Sequence, residues 1–395
     1  MINTGGLVQT TDSLHLALKP IIIFAQFFAV FPVDGIASPD TSQLKFTWKS
    51  FKIFYFLVSM SIALFLTCSS FIRVVSTEFH STKMTTLVFS GTSCLTSLLF
   101  LRLAKNWPNF SAAWEKVERE IAIRHRCPKK MSLVKRFKLI SGIILSLAFL
   151  EHALSLVSGY LSAKECAILR GDSDILGVYF KTQFPQVFNK TSYSLWKGVV
   201  VQSSNVLSTF SWNFMDLFLI LLSAALTFHF GQLNDPRCDY NRLACLTRRV
   251  DADISGIVLL SFGTNLYFIC IQLMNSFDRM PNVTRTVYFC FSFGFLIART
   301  ATVSLSAASV HDESLLPAPV LYSVSASSYS TEIIRFLTQV TTDNIGLTGM
   351  KFFQISRGLV LTVAGTIVTY ELVIVQFNSV QQVNPSNLMN ACEVK

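Results

Sequence analysis

Long apolar stretches alternate with shorter polar segments along the chain, and seven of the stretches are of membrane-spanning length. A helix needs about 20 mostly apolar residues to cross the hydrocarbon core, because each residue adds ~1.5 Å. The pattern therefore predicts an all-α membrane protein with seven transmembrane helices. The predicted spans are residues 53–72, 84–103, 139–161, 199–230, 254–277, 286–308 and 355–377.

Two further segments have helical patterns but are not predicted to cross the membrane. Residues 18–31 are apolar, but they are too few to span a bilayer and end at Pro32, so they predict an interfacial or re-entrant helix. In residues 329–340 apolar side chains recur at helical spacing opposite charged ones, which predicts an amphipathic anchor helix in a cytoplasmic loop. The resulting division is an N-terminal segment 1–52, six spans and a ligand pocket in 53–308, the loop 309–354, a pore helix 355–377 and a tail 378–395.

The distribution of basic residues predicts the orientation of these spans. The N-terminal segment and the second, fourth and sixth loops together hold most of the Lys and Arg, and loop 102–138 contributes the largest share. Cytoplasmic loops carry this excess, so we expect a cytoplasmic N-terminus and an extracellular C-terminus. Glycosylation sequons at Asn189 and Asn282 then lie outside the cell, whereas the sequon at Asn109 lies inside. A G-protein-coupled receptor has the opposite orientation.

Composition excludes several classes of protein. Charged residues make up 14% of the chain, whereas soluble domains carry about 25%. The net charge is +10, and membrane proteins concentrate Lys and Arg in their cytoplasmic loops. The charge therefore does not indicate a nucleic acid as a partner. The nine cysteines contain no CxxC pair, and we find no enzyme motif. We therefore expect no catalytic residues, no metal and no cofactor.

Polar residues form stripes at helical spacing within the third, fourth and fifth spans. Ionisable and amide groups in a membrane usually face a cavity or the interior of the bundle. Amides and carboxylates suit the hydroxyls of a sugar, and aromatic rings suit its apolar faces. These stripes predict a sugar pocket in the outer half of the bundle, with hydrogen bonds between helices as the alternative. The predicted ligand-binding residues are Glu151, His152, Gln202, Asn205, Trp212, Asn213, Asp216, Asn265 and Gln272. Arg299 in the sixth span is expected to form an ion pair with Asp216 or Glu151.

The seventh span has a stripe of its own. Thr366, Thr369, Val373 and Gln376 recur on one face, and Thr362 extends it by one turn. Hydroxyls, one branched apolar residue and an amide suit a water-filled conduit with a narrow gate. Helix packing uses the same small polar residues, so the stripe alone leaves a pore and a packing face as alternatives.

Two distant motifs resemble those of a known family. The segment TYELVIVQF, at 369–377, is similar to the TYhhhhhQF signature that ends insect gustatory receptors, where h is apolar. The segment LHLALKPIIIFAQFFAVFPVDGI, at 14–36, resembles the N-terminal part of the sugar-receptor branch. The resemblance implies an insect chemoreceptor channel of four subunits, whose seventh helices line one pore. By position in the signature, Val373 would narrow the pore, with Gln376 and Phe377 beside it and Thr369 below.

The resemblance and the stripes together predict a sweet-taste receptor that acts as a sugar-gated, non-selective cation channel. We expect the plasma membrane of a sensory-neuron dendrite as its location. Its expected partners are a mono- or disaccharide, permeating cations, membrane lipid and other copies of itself or related receptors. The alternatives are a non-conducting or co-receptor-dependent chemoreceptor subunit for another tastant, a G-protein-coupled-receptor-like transducer and a sugar transporter.

Overall fold

The structure, a computed structural model, describes residues 13–76, 81–122, 132–233, 236–276 and 283–378. These residues are almost entirely helical, with one short antiparallel hairpin formed by β1 (Thr348–Gly349) and β2 (Phe353–Gln354). The helices are α1 (Leu14–Phe27), α2 (Phe51–Ser76), α3 (Ser81–Ala122), α4 (Leu133–Arg170), α5 (Ile175–Gln183), α6 (Pro185–Phe188), α7 (Leu195–Phe230), α8 (Pro236–Ser276), α9 (Val283–Leu315), α10 (Pro317–Tyr322), α11 (Thr331–Thr342) and α12 (Arg357–Asn378).

Six helices in the described part of the chain are long and apolar enough to cross a membrane: α2, α3, α4, α7, α8 and α9. Several extend well beyond the predicted spans. Helix α3 continues past the apolar stretch because Trp107, Phe110 and Trp114 recur at helical spacing and are buried against the bundle. The side chains of α12 are described only in part, and its segment Arg357–Tyr370 is a shorter apolar helix.

Helix α7 lies at the centre of the subunit. Of its membrane-length window, 89% is buried inside the protein, compared with 17% for α4. It packs against α9, α3, α4 and α8. Helix α7 is therefore enclosed by protein over most of its length, whereas the outer helices expose large apolar side chains such as Phe65 and Phe149.

Helix α1 is inserted against the bundle. It packs on α3, α4 and α7, and Phe28, directly after its end, stacks on Phe210 of α7 with ring centroids 3.9 Å apart. The helix begins and ends four residues earlier than the predicted 18–31, because Ala29 and Phe31 have positive φ angles that cannot continue a helix. The side-chain amide of Gln26 donates to the carbonyl oxygens of Phe31 and Val33 and stabilises this turn.

The segment between α9 and α12 folds into a compact unit. Helix α11 covers most of the predicted anchor helix, and Phe336, Leu337 and Val340 are its buried side chains. The hairpin follows, and Asp251 of α8 accepts hydrogen bonds from the backbone NH of Thr348 at 2.6 Å and from its hydroxyl at 2.8 Å. The hairpin that precedes α12 is therefore tied to α8 through one buried carboxylate.

Candidate functional site

A cavity of about 740 Å³ lies between α3, α4, α7, α8 and α9, and α5 and α6 also contribute to its wall. Its volume lies within the 300–1,000 Å³ that is common for small-molecule sites. The lining is mixed. Aromatic rings such as Phe89, Phe289 and Trp212 alternate with hydroxyls, amides and a few ionisable groups.

Five of the predicted ligand-binding residues line this cavity. They come from three helices: Glu151, His152, Asn205, Trp212 and Gln272. Residues three, four and seven apart share a helix face, so the polar residues of each stripe point the same way. In the structure the three faces meet at one cavity. Ligand binding by these residues stays a prediction.

Four predicted ligand-binding residues are absent from the lining. Gln202 accepts a hydrogen bond at 3.2 Å from the hydroxyl of Tyr179 on α5. Burial raises the pKa of the Tyr179 phenol, so this hydroxyl stays protonated as a donor. The others, Asn213, Asp216 and Asn265, are almost fully buried. Asn265 donates to Asp216, and Arg299 connects Asp216 to Asn213.

This buried network is centred on Asp216. Its carboxylate forms an ion pair with Arg299 of α9, Nε to Oδ2 2.8 Å, and accepts hydrogen bonds from Ser261 at 2.5 Å and Asn265 at 3.1 Å, both of α8. Arg299 also donates to the side-chain oxygen of Asn213. A charge in the membrane interior is costly unless it is paired and hydrogen-bonded, and here both conditions hold. The network therefore joins α7, α8 and α9 inside the bundle.

Arg299 belongs to both the network and the cavity. Its guanidinium lies 4.4 Å from the ring centroid of Trp212 and 5.3 Å from that of Phe295, and all three residues line the cavity. Cations stack favourably on aromatic faces, most strongly on Trp. The Arg299–Asp216 pair therefore lies directly behind the cavity wall at Trp212.

Sequence reasoning missed several lining residues. Ser292 donates a 2.6 Å hydrogen bond to Glu151 and accepts one from Gln272 at 3.4 Å, so it connects two predicted residues. Ser292 and Arg299 are seven residues apart, which is two helical turns, and this spacing could have identified a polar face on α9. Gln183 and Gln186 also line the cavity, but they lie on short helices outside the spans, where no stripe pattern marks them.

Some polar atoms at the cavity wall are enclosed and have no hydrogen-bond partner among the described residues. They are Nε2 of His152, Nε1 of Trp212, Oε1 of Gln272 and Oε1 of Gln186. Buried polar groups in proteins are nearly always hydrogen-bonded, so such atoms beside a cavity indicate that a hydrogen-bonding ligand or water belongs there. In the part of the chain that the structure covers, no cluster of His, Cys, Asp or Glu could hold a metal.

The predicted pore stripe lies on an exposed surface. Thr362, Thr366 and Thr369 are exposed, and each hydroxyl donates to the backbone carbonyl four residues earlier at 2.8–2.9 Å. Val373 is 41% exposed. The side chains of Gln376 and Phe377 lie outside the part of the chain that the structure describes.

A separate face of α12 contacts the subunit. Ile367 packs against an apolar cluster that includes Phe268 and Leu296, two residues of the cavity wall. Trp212 also contacts this cluster. The cavity and α12 therefore share one set of packed side chains.

The structure describes one of the two predicted glycosylation sites. Asn189 is exposed at the end of α6, as a modified asparagine must be. Asn282 lies outside the described residues.

Known proteins resemble this chain over most of its length. The family model described as Trehalose receptor matches residues 7–387. The Drosophila melanogaster gustatory receptor for sugar taste 64f is 36% identical, with 93% of this chain and 81% of that protein covered. The gustatory receptor 5a for trehalose of the same species is 34% identical, with 93% and 85% covered.

The fold has a solved counterpart. The insect olfactory receptor OR5 of Machilis hrabei, in its complex with eugenol, superimposes with a TM-score of 0.63 at 15% identity, covering 92% of this chain and 98% of that one. Its structure without eugenol gives a TM-score of 0.55. The protein is thus a predominantly helical, multi-pass membrane receptor and not an enzyme. From these matches, the chain belongs to the trehalose receptor family, among the sugar-taste gustatory receptors of insects.

Proposed function

We propose that this protein is a sugar-gated, non-selective cation channel of a sensory neuron's plasma membrane, assembled from four subunits. The observation that carries the proposal is the cavity of about 740 Å³, whose wall combines aromatic rings with enclosed polar atoms that lack partners. The names of the relatives, which refer to sugar taste and trehalose, support a sugar as its ligand.

The chemistry of the cavity wall suits a sugar. A sugar hydroxyl both donates and accepts, so it can serve Nε1 of Trp212 as an acceptor and Oε1 of Gln272 as a donor. The rings of Trp212 and Phe268, 4.7 Å apart at their centroids, offer apolar surface for the face of the sugar ring. An apolar ligand of the same size would leave the polar atoms unpaired and bind more weakly.

The exposure of α12 supports its role as the pore helix. Its main contacts within the subunit are with α9 and α8, and its threonine stripe faces outward. Hydroxyls that already donate to their own backbone keep an oxygen free to accept, and such oxygens can line a path for hydrated cations. In a tetramer, four such stripes would surround one axis, with Val373 as the narrow point.

Seven spans and a cytoplasmic N-terminus complete the proposal. Helix α12 is 22 residues long, which is sufficient for a seventh span, and the excess of Lys and Arg lies in the loops assigned to the cytoplasm. A receptor coupled to a G protein would need the opposite orientation.

Gating would follow from the side chains that the cavity shares with α12. A sugar that contacts Phe268, Leu296 or Trp212 favours one packing of this cluster over another, and Ile367 of α12 rests on the same cluster. Only a difference in affinity between the two packings can shift the equilibrium. Millimolar affinity corresponds to about 4 kcal/mol, and only the part of it that differs between the two packings would favour an open arrangement of α12.

The test is to express the chain alone in cells without taste receptors and to record from membrane patches. We expect trehalose, sucrose, maltose or glucose to evoke stepwise single-channel currents carried by both Na⁺ and K⁺. A transporter gives no such steps, so sugar uptake without steps would contradict the channel. Sugar responses that require a second receptor would reveal a co-receptor-dependent subunit.

Epitope tags at the two termini test the orientation. On unpermeabilised cells, antibody should stain the C-terminal tag and leave the N-terminal tag unstained. The reverse staining would overturn the channel topology and favour a G-protein-coupled receptor.

A further inference from the structure

The helices α5 and α6, called here the cap (Ile175–Phe188), connect α4 to α7 and have an apolar core of their own. Tyr179, Phe180, Phe184 and Phe188 are buried in it, and stacked and edge-on ring contacts join them. The same cluster includes residues of three spans: Leu66, Ala163, Ala167 and Val201. The cap is therefore packed firmly onto the transmembrane helices.

Two glycines let the cap approach the spans closely. A Cβ at Gly198 of α7 would lie 2.9 Å from ring atoms of Phe180, closer than side chains tolerate. A Cβ at Gly159 of α4 would lie 3.0 Å from the amide nitrogen of Gln183. The cap therefore lies in close contact with α4 and α7, and its residues Gln183 and Gln186 line the cavity.

Gln186 stands out among the cap residues. Its side chain is 6% exposed, it lines the cavity, and its Oε1 has no hydrogen-bond partner within the described ranges. A buried amide oxygen left without a donor is unfavourable, because it has lost its hydrogen bonds to water. A donor supplied by a ligand would remove this cost.

We propose that Gln186 binds the sugar directly, with its Oε1 accepting a hydrogen bond from a sugar hydroxyl, and that the cap thereby sets hydroxyl selectivity at one end of the cavity. This inference rests on the proposed function, since it takes the cavity to be the sugar site. The amide oxygen can pair only with a donor, so it favours a hydroxyl over an ether oxygen or a methylene at that point. It adds a ligand contact from outside the spans.

The test compares Gln186→Leu, which removes the acceptor, with Val187→Ala. Val187 is the next residue, is buried in the core of the cap and does not line the cavity, so its change loosens the cap without touching the ligand. The readouts are the sugar-induced shift in melting temperature of the purified receptor and the dose–response curve of the channel. The probes are trehalose, sucrose, maltose and glucose, followed by monodeoxy analogues of the most effective one.

We expect Gln186→Leu to weaken the apparent affinity for the best sugar by about three- to tenfold, the worth of one hydrogen bond. On the wild type, one deoxy analogue should bind more weakly than the parent sugar by a similar factor. On Gln186→Leu, that analogue and the parent sugar should bind with equal affinity, because both changes remove the same contact. Val187→Ala should affect every analogue equally. If Gln186→Leu does not fold, Gln186→Met provides an unbranched side chain of similar length without the acceptor.

The outcomes separate this assignment from the proposed function. Suppose that the wild type binds a sugar and that removing each hydroxyl weakens the affinity by the same factor on Gln186→Leu as on the wild type. Gln186 is then not a ligand contact. A selectivity change of the same kind in Val187→Ala would also overturn the assignment, since the effect would then come from the packing of the cap. If no sugar shifts the melting temperature of the wild type, the proposed function itself fails.

Discussion

Helices α7 and α12 both carry polar residues at helical spacing, yet the two stripes have opposite environments. In α7, Asn213 and Asp216 are 1% and 0% exposed and bond to side chains of α8 and α9. In α12, Thr366 and Thr369 are exposed and donate to their own helix. The same sequence pattern thus marks a polar contact between helices in one region and an outward-facing surface in the other.

The two stripes differ in whether their polar groups need hydrogen-bond partners from other helices. A carboxylate inside the bundle needs a partner from another helix, so the α7 stripe requires Arg299, which is 83 residues later in the chain. A threonine can satisfy its hydroxyl within its own helix, so the α12 stripe needs no other element of the subunit. Changes in the α7 stripe should therefore reduce folding, and changes in the α12 stripe should alter conduction.

The largest expected effect is that of Asp216→Ala. It leaves the buried guanidinium of Arg299 without its ion-pair partner, and breaking such a pair costs about 3–5 kcal/mol. We expect most of the receptor to be lost from the cell surface, as measured by surface biotinylation. The matched control is Asp172→Ala, which removes an exposed carboxylate and should leave the surface level within about a factor of two.

The double variant Asp216→Leu with Arg299→Met sharpens this prediction. It removes both charges and replaces them with apolar side chains, so it should restore more surface receptor than Asp216→Ala alone provides. If the double variant is no better than the single one, the ion pair is not the reason for the loss.

Asn213→Ala should have the next largest effect. It removes the acceptor of an Arg299 hydrogen bond and the donor to the carbonyl of Thr209, 2.9 Å away. The expected cost is about 1–3 kcal/mol, measured as a lower melting temperature of the purified receptor. An unchanged melting temperature would mean that the α7 stripe is not a stabilising contact.

Ile367→Ala tests whether α12 is coupled to the cavity. Its side chain contacts the cluster that forms part of the cavity wall, so truncation should reduce the maximal sugar current about two- to fivefold while sugar binding stays the same. Binding is read from the sugar-induced melting shift and coupling from patch currents at matched surface levels. Leu361→Ala, on the same helix but 73% exposed, is the control and should leave both readouts closer to the wild type.

The smallest effect on stability is expected for Thr366→Val and Thr369→Val. Each replaces an exposed hydroxyl whose hydrogen bond, among the described residues, stays within its own helix, and the expected change in the free energy of unfolding is below about 0.5 kcal/mol. Single-channel conductance should nevertheless fall, because the pore would lose a polar oxygen. If conductance and selectivity match the wild type in both variants, the stripe does not line the pore.

Six of the seven spans were predictable, because a membrane helix satisfies its backbone hydrogen bonds internally and is recognisable by its length and hydropathy. The anchor helix was predictable for a similar reason, since Phe336, Leu337 and Val340 repeat with the helical period. The ends of the helices were less predictable. Helix α3 runs to Ala122 because Trp107 and Trp114 find apolar partners, and nothing in the local hydropathy marks that contact.

Three of the helices around the cavity were predictable, but the full set of side chains that line it was not. The spacing of Glu151, Asn205 and Gln272 indicated three polar faces, and those faces do meet. The same spacing could not separate a residue that lines the cavity from one that pairs behind it, as Asp216 does, because the choice depends on the side chains of other helices. Gln186 had no periodic signal, since it lies on a four-residue helix.

Local chemistry along the chain thus determines that this protein is helical, crosses a membrane and carries polar faces, since these properties depend on neighbours within two helical turns. The family motifs at 14–36 and 369–377 indicate that it belongs to the sugar-taste receptors. Which polar groups line the cavity, and which are bonded to one another, was decided by the folded bundle. Burial and pairing depend on side chains far apart in sequence, such as Arg299 beside Asp216, that only the packed helices bring together.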